Sequence, residues 1–131
     1  MTALRKIVLY STNGVATPVQ YAMIQALTTP EPVIAARREE YRKRRDVLVA
    51  ALNDARLECD PPAGAFYAFP NAEKINKNSR KAAEILLERA HIATVPGSVF
   101  GAQGEGHLRF SYAIPIKEIE DCVDALRRYM A

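Results

Sequence analysis

The clearest hydrophobic pattern in the chain is an alternation near its C-terminal end. Between residues 107 and 113, apolar and polar side chains alternate one by one. A period of two is typical of a strand with one buried face. The pattern therefore predicts a strand over residues 107–113 that points Arg109 away from the core. The two faces of this predicted strand carry Leu108, Phe110 and Tyr112 on the apolar side and His107, Arg109 and Ser111 on the polar side.

Apolar residues at spacings of three and four predict five helices elsewhere in the chain. Thr17 before Pro18 is typical of an N-cap followed by a proline in the first helical turn. Ser79 is predicted to cap the fourth helix, and His91 to end it. The predicted helices cover residues 2–10, about 18–28, Glu31 or Pro32 to about Arg56, Ser79 to His91, and about 116–130.

Three further short segments are predicted to be strands, over residues 57–60, 65–69 and 92–95. Both faces of segment 65–69 are largely apolar, which predicts a central strand. The polar connection over residues 71–78 is predicted to be a mobile loop. We therefore expect an α/β (α+β) domain with a small, mainly antiparallel sheet of about four strands covered by helices.

Composition agrees with one ordinary globular domain. The chain has 131 residues, of which 49% are hydrophobic and 25% are charged, and this length can bury a core of its own. Cys59 and Cys122 lack metal-ligand spacing, so we expect reduced packing residues and no metal site. No apolar run approaches the length of a membrane span, and no signal-like segment is present. We expect a cytoplasmic protein without membrane partners.

A basic stretch in the third predicted helix raises the alternative of nucleic-acid binding. Residues 37–45 carry six basic side chains against two acidic ones. The net charge of +3 is small, and the stretch lacks stacking aromatic residues, so we expect no nucleic-acid partner. Salt-dependent binding to nucleic acid would favour the alternative. Pairs four residues apart are predicted to neutralise the stretch: Glu39 with Lys43, Glu40 with Arg44, and Arg42 with Asp46.

A glycine-rich turn, residues 96–106, precedes the strand of Arg109. Phosphate-binding glycine loops join a strand to the N-terminus of a helix, whereas a strand follows here. We therefore favour glycines that supply positive φ angles over a phosphate cradle. An outward guanidinium on a rigid strand is suited to two-hydrogen-bond capture of a carboxylate or phosphate, although a solvated arginine is the alternative.

Several stretches in order resemble the C-terminal part of class I/II aminotransferases, the pyridoxal-phosphate enzymes of fold type I that include aspartate aminotransferase. The resemblance spans roughly residues 11–130 and implies that Arg109 binds the α-carboxylate of the amino-acid substrate. His107, on the same face, is a weaker candidate for contact with the substrate. The matching residues are Gln20, Ala26, Leu27, Tyr41, Arg44 to Asp46, Pro62, Gly64 to Tyr67, Phe69, Pro70, Pro96, Gly97, Phe100, Gly101 and Arg109.

The segment most typical of that family is missing from the chain. It consists of Ser-Lys followed by Gly-x-Arg-x-Gly, and its lysine forms the Schiff base with the cofactor. None of the six lysines has this context: Lys6, Lys43, Lys74, Lys77, Lys81 and Lys117. The resemblance therefore implies a C-terminal small domain without its large domain, with no catalytic residue and no cofactor-binding residue, and inactive alone.

The resemblance also implies an organisation and partners. Residues 1–10 would be a remnant of the interdomain helix and residues 11–131 the small domain. The parent enzyme would be a homodimer that acts on an amino acid and a 2-oxo acid with bound pyridoxal phosphate. We assign no role to the turn-like segment from Ser11 to Gly14. The principal alternative is a stand-alone regulatory α/β module for a small anion or a partner protein, which saturable amino-acid binding by this chain would favour.

Overall fold

The computed structural model describes residues 2–12 and 14–131. In this part of the chain, all five predicted helices are present, and three short strands form one sheet. The elements are α1 (Thr2–Thr12), α2 (Thr17–Leu27), α3 (Glu31–Asp54), β1 (Tyr67–Ala68), α4 (Ser79–Ala90), β2 (Val95–Pro96), β3 (Leu108–Ser111) and α5 (Ile116–Met130).

The sheet has the order β1-β3-β2, and both strand pairs are antiparallel. The predicted fold class is confirmed, with three strands in place of about four. The strand that carries Arg109 is central, whereas the prediction of a central strand over residues 65–69 is wrong, because β1 lies at an edge. Ala65 has a φ of +61°, which interrupts the extended run and leaves only Tyr67–Ala68 in the ladder.

The strand predicted over residues 57–60 is absent from the described structure. The Asn53 side chain takes the place of a ladder partner there. Its Nδ2 donates to the Cys59 carbonyl at 3.0 Å, and its Oδ1 accepts from the Cys59 N–H at 2.9 Å. A side chain can therefore form hydrogen bonds with the backbone of a segment that its sequence pattern assigns to a sheet.

The described residues fall into two compact units, one that ends at Arg37 and one that runs from Arg38 to Ala131. In the first unit, α1 and α2 contain no buried residue. In the second unit, one apolar cluster joins the C-terminal half of α3 with the sheet, α4 and α5. Its largest fully buried side chains include Leu52, Leu57, Leu86, Leu108, Tyr112, Ile119 and Leu126.

Helix ends differ from the sequence predictions at several places. Ser11 and Thr12 lie in α1 rather than in a turn, and Asn13 lies outside the described residues. Ala16, not Thr17, precedes α2. Asn78, not Ser79, is the N-cap of α4, and its side chain accepts a hydrogen bond from the Lys81 N–H. At α4 the two neighbouring residues offer the same type of cap, and the sequence alone does not resolve which one is used. At α2, by contrast, Ala16 makes no side-chain cap hydrogen bond.

Other predicted ends agree with the structure. His91 is the C-cap of α4 in the left-handed conformation, with a φ of +57°. Helix α5 begins after Pro115 without a side-chain cap. Residues 71–78 form turns rather than an extended loop, and Asn71 pairs with His107 in an isolated bridge next to β3. Their predicted mobility stays a prediction.

Candidate functional site

Arg109 lies in the middle of the central strand. Its neighbours along β3, Leu108 and Phe110, are 0% and 3% exposed, whereas Arg109 is half-buried. Tyr112 continues the buried face and donates its hydroxyl hydrogen to the Ala65 carbonyl at 3.2 Å. The alternation predicted from the sequence is therefore present, and the Arg109 side chain lies on the opposite face of β3 from the core.

Two aromatic rings from different elements contact the Arg109 guanidinium. Its Cζ lies 4.3 Å from the centre of the Tyr67 ring, which belongs to β1. It lies 5.0 Å from the centre of the Phe100 ring, in the short 3-10 turn Gly97–Phe100. A guanidinium is attracted to the face of an aromatic ring. We call Tyr67 and Phe100 the arginine bracket.

The Arg109 guanidinium has no hydrogen bond and no ion pair within residues 2–12 and 14–131. Nor does it belong to the buried groups without partners in this part of the chain, which are Arg44 Nε and Thr94 Oγ1. Its N–H groups are therefore neither bonded to an internal acid nor fully buried. A planar fork of this kind matches a carboxylate or a phosphate.

The aromatic contacts continue from the bracket to His107. Phe69 meets Phe100 edge to face with ring centres 6.1 Å apart. The His107 ring stacks on Phe69 at 5.3 Å with an interplanar angle of 7°, and its Nδ1 lies 3.1 Å from the Glu105 carbonyl oxygen. The structure thus brings the weaker candidate, His107, to the same face as Arg109.

A cavity of about 440 Å³ lies beside these rings. Its walls include Tyr67, Phe69 and His107 as well as the acidic residues Glu58 and Asp60. The six lysines are absent from its lining. Arg109 is not among the residues that line this cavity. On this face its guanidinium is the cationic donor suited to a small carboxylate, whereas the Glu58 and Asp60 carboxylates would repel one.

The glycine-rich turn fixes the strand of Arg109 through two different glycine properties. Gly101 and Gly106 have φ angles of +118° and +79°, as the sequence predicts. Gly97 and Gly104 instead touch each other, because a Cβ on Gly97 would lie 2.0 Å from the Gly104 carbonyl oxygen. Two short 3-10 turns fill this segment, and β3 follows it. The turn therefore has a packing role that the motif alone did not reveal.

Glu105 ties the same turn to the start of α4. Its carboxylate accepts a hydrogen bond from the Ser79 N–H at 2.6 Å, and Ser79 Oγ donates to Ser98 Oγ at 3.0 Å. The backbone hydrogen bond from Ser79 lowers the pKa of Glu105 below its usual value of 4.5. A carboxylate at a helix N-terminus is also favoured by the helix dipole.

The basic stretch of α3 is internally compensated, but with partners that differ in part from those predicted. Arg44 pairs with Glu40, as predicted. Arg42 pairs with Glu39 at 2.8 Å rather than with Asp46, and Asp46 pairs instead with Arg45 at 2.7 Å. Side chains three residues apart also meet on a helix surface. Arg42 therefore had two possible partners, and the structure pairs it with Glu39 instead of Asp46.

None of the six lysines lines the cavity next to Tyr67, Phe69 and His107, so no side chain there could form a Schiff base with the cofactor that the family resemblance implies. No group of three or more His, Cys, Asp or Glu side chains suited to a metal occurs in the described part of the chain. Cys59 and Cys122 are free thiols whose pKa is raised by burial. We therefore derive no chemical step through a cofactor from these residues.

Two roles escaped the sequence analysis, those of Tyr67 and Phe100 as ring contacts of Arg109. Both residues belong to the matched motifs, but the motifs do not say which side chains meet across the sheet. The cross-strand register places Tyr67 opposite Ser111, two residues from Arg109. A diagonal neighbour on one sheet face lies within reach of long side chains, so a correct register would have found this pair.

Fold and site together define a small α/β domain whose central strand carries an arginine without a hydrogen bond or ion pair in the described residues. The family model for class I and II aminotransferases matches residues 2–126. The chain therefore belongs to the class I and II aminotransferase family, as its motifs predicted.

Individual relatives agree with this assignment. The chain is 36% identical over 128 residues to the putative aminotransferase YugH of Bacillus subtilis. The aligned region covers 98% of this chain and 33% of that protein. It is 34% identical over 127 residues to an aspartate aminotransferase of Pyrococcus abyssi, which covers 95% of this chain and 33% of that protein. The chain thus spans about a third of the length of the curated relatives it matches.

Solved structures show the same fold. An aromatic aminotransferase from Pyrococcus horikoshii superposes with a TM-score of 0.87 at 35% identity, over 95% of this chain and 34% of that one. An aspartate aminotransferase from Thermus thermophilus with maleate superposes with a TM-score of 0.84 at 35% identity, over 97% of this chain and 33% of that one. No helix in the described part of the chain is long and apolar enough to cross a membrane.

Proposed function

We propose that this chain is the C-terminal small domain of a pyridoxal-phosphate-dependent amino-acid aminotransferase, in which Arg109 binds the substrate α-carboxylate. The parent enzyme moves an amino group between an amino acid and a 2-oxo acid. The chain contributes a substrate clamp and is inactive alone, because the lysine that the reaction needs is absent from its sequence.

The observation that carries the proposal is that the N–H groups of the Arg109 guanidinium have no hydrogen-bond partner in the described residues. The side chain is half-buried on a central strand, held between two rings, and free of hydrogen bonds and ion pairs in the described residues. An arginine that only served solubility would need neither the rings nor the central position. A two-hydrogen-bond contact to a carboxylate uses the fork that the protein leaves open.

In the proposed enzyme, Arg109 acts on orientation rather than on the reacting bonds. Two parallel N–H···O bonds fix the plane of the carboxylate and so the direction of the bonds at the adjacent Cα. The bound cofactor would supply the electron sink. Transfer of the Cα proton belongs to a lysine that this chain does not contain.

Carboxylate binding by the chain tests the clamp directly. The probe is maleate, because a solved relative is described with maleate. We expect weak saturable binding, with a dissociation constant on the order of 10 mM for one charged hydrogen-bonded contact. Shifts of the arginine Nε–H resonances in nitrogen-15 spectra report which arginine binds. Arg109→Gln should abolish the shift of the bound state, whereas Arg89→Gln, an exposed change of equal charge, should leave binding unchanged.

Retained maleate binding in Arg109→Gln would overturn the clamp. The second part of the proposal, inactivity alone, is tested by adding pyridoxal phosphate and an amino-acid and 2-oxo-acid pair to the chain. We expect no transamination and no absorbance band of a lysine-bound cofactor. A stable band of that kind on one of the six lysines would overturn this part.

The stand-alone binding module makes a different prediction in the same titration. A clamp without the rest of its pocket should bind acetate and amino acids with similar weakness, because it contacts only the carboxylate. A dedicated module should select an amino acid and bind it below about 1 mM, which needs several additional contacts. Selective binding of that strength would replace our proposal with the module.

A further inference from the structure

We infer that Tyr67 and Phe100 are positioning residues for Arg109, and that they preset its guanidinium for the incoming carboxylate. This inference rests on the proposed function, since it deepens the role of the same arginine. It goes beyond it by assigning the orientation of the clamp to two aromatic side chains rather than to the strand alone.

The geometry around Arg109 differs from that of an arginine oriented by acids. In the described part of the chain, two ring faces contact its guanidinium, at 4.3 Å and 5.0 Å from Cζ. Ring faces attract the cation but accept none of its in-plane hydrogen bonds. The bracket therefore restrains the side chain while every N–H of the fork stays available.

Each of the two rings contacts another aromatic ring. Phe66 packs on Tyr67 with ring centres 4.5 Å apart. Phe69 meets Phe100 at 6.1 Å, and Gly97 anchors the 3-10 turn of Phe100 through its contact with Gly104. A restraint can lower the entropy cost of ordering Arg109 only if the restraining groups are ordered first, and these contacts favour that order.

Ordering of the clamp before binding has a measurable value. A free arginine side chain loses much of its rotamer entropy when it binds a ligand. Because the bracket has already removed part of that freedom, loss of one ring should weaken maleate binding about two- to fivefold, the range that one cation–ring contact contributes.

The test uses the full chain and three kinds of variant. Tyr67→Leu and Phe100→Leu remove one ring each, Tyr67→Phe keeps the ring without the hydroxyl, and Val99→Ala alters an exposed neighbour in the same 3-10 turn. The first readout is the chemical shift of the Arg109 Nε–H proton, which nearby rings displace through their ring currents. The second is the dissociation constant for maleate.

We expect both leucine variants to move the Arg109 resonance toward that of the exposed Arg89 and to weaken maleate binding about two- to fivefold. Tyr67→Phe and Val99→Ala should leave both readouts unchanged. Unchanged resonance and affinity in the leucine variants would overturn the inference. A different result would overturn the clamp but not the bracket. In that case the Arg109 resonance moves in the leucine variants, while Arg109→Gln still binds maleate.

A measurement without substitution keeps the inference falsifiable if a leucine variant fails to fold. The heteronuclear relaxation of Arg109 Nε in the unchanged chain should resemble that of the backbone, because the bracket restrains the side chain before any ligand binds. Arg89 Nε should show fast motion. Equal mobility of the two side chains would contradict the inference.

Discussion

Two regions of this chain are rich in arginine contacts, and they use arginine in opposite ways. On α3, Arg42, Arg44 and Arg45 each pair with a carboxylate of the same helix. On β3, Arg109 meets two rings and no carboxylate in the described residues. The number of charges therefore says little about binding, whereas the identity of the partners separates a compensated surface from an open clamp.

A ring contact alone does not make an arginine available. Arg44 also lies over a ring, with its Cζ 5.2 Å from the centre of Tyr41, but its outer end is paired with Glu40. Arg109 has the ring contacts without the acid. This difference should disappear if the turn that carries Phe100 is disrupted or if Arg109 is given an internal acid.

The largest effect is expected from Gly97→Ala, which should disrupt the 3-10 turn that carries Phe100. The new Cβ would lie 2.0 Å from the Gly104 carbonyl oxygen and 2.7 Å from that of His107, and backbone cannot yield as a flexible side chain does. We expect a loss of about 3 kcal/mol or more in the free energy of unfolding, measured by urea denaturation. Gly64→Ala is the matched control, because a Cβ there meets nothing within 4 Å; equal stabilities of the two variants would contradict the prediction.

The contrast between the two regions shows how far sequence reasoning reached. The period of two placed Arg109 opposite a face that holds Leu108 and Phe110, and both are buried. Local spacing is sufficient for this result because neighbouring side chains on a strand alternate regardless of the rest of the fold.

The features that the sequence did not predict depend on register and backbone angle. Tyr67 reaches Arg109 because β1 pairs with β3 in one particular register, and the positive φ of Ala65 shortens β1. The backbone groups of Cys59 form hydrogen bonds with the Asn53 side chain instead of with a neighbouring strand. Each outcome is decided between residues distant along the chain, which local patterns do not specify.

Placing an acid beside Arg109 should make it resemble the paired arginines of α3. His107 lies two residues earlier on the same face of the strand, so a glutamate there can reach the guanidinium. We expect His107→Glu to weaken maleate binding about tenfold, because the fork is then occupied. His107→Gln is the control of similar size without charge and should weaken binding less. Equal affinities of the two variants in the maleate titration would contradict an occupied fork.

A smaller effect is expected at acidic pH from Glu105, which anchors the turn before β3. The backbone hydrogen bond from Ser79 lowers its pKa in the folded chain below 4.5. The stabilisation is therefore fully present above the unfolded pKa and is lost as the pH falls through the folded pKa. Glu105→Gln should be less stable than the unchanged chain at neutral pH, and the two should converge as the pH falls through the folded pKa of Glu105. Parallel stability curves in urea denaturation from pH 7 to pH 3 would contradict this assignment.

The smallest effect is expected on the compensated face of α3, and salt distinguishes it from the effect of Glu105. The pKa of Glu39 is lowered chiefly by the side-chain hydrogen bond from Arg42, and both side chains are well exposed. Charges in that position are screened by ions of the solvent. We expect Glu39→Gln to change the free energy of unfolding slightly at low salt and not at all near 1 M salt. Glu105→Ala, which removes the oxygen that accepts from the Ser79 N–H at 2.6 Å, should keep most of its effect at high salt. Equal salt sensitivity of the two variants would mean that the turn before β3 is held by general electrostatics and not by this hydrogen bond.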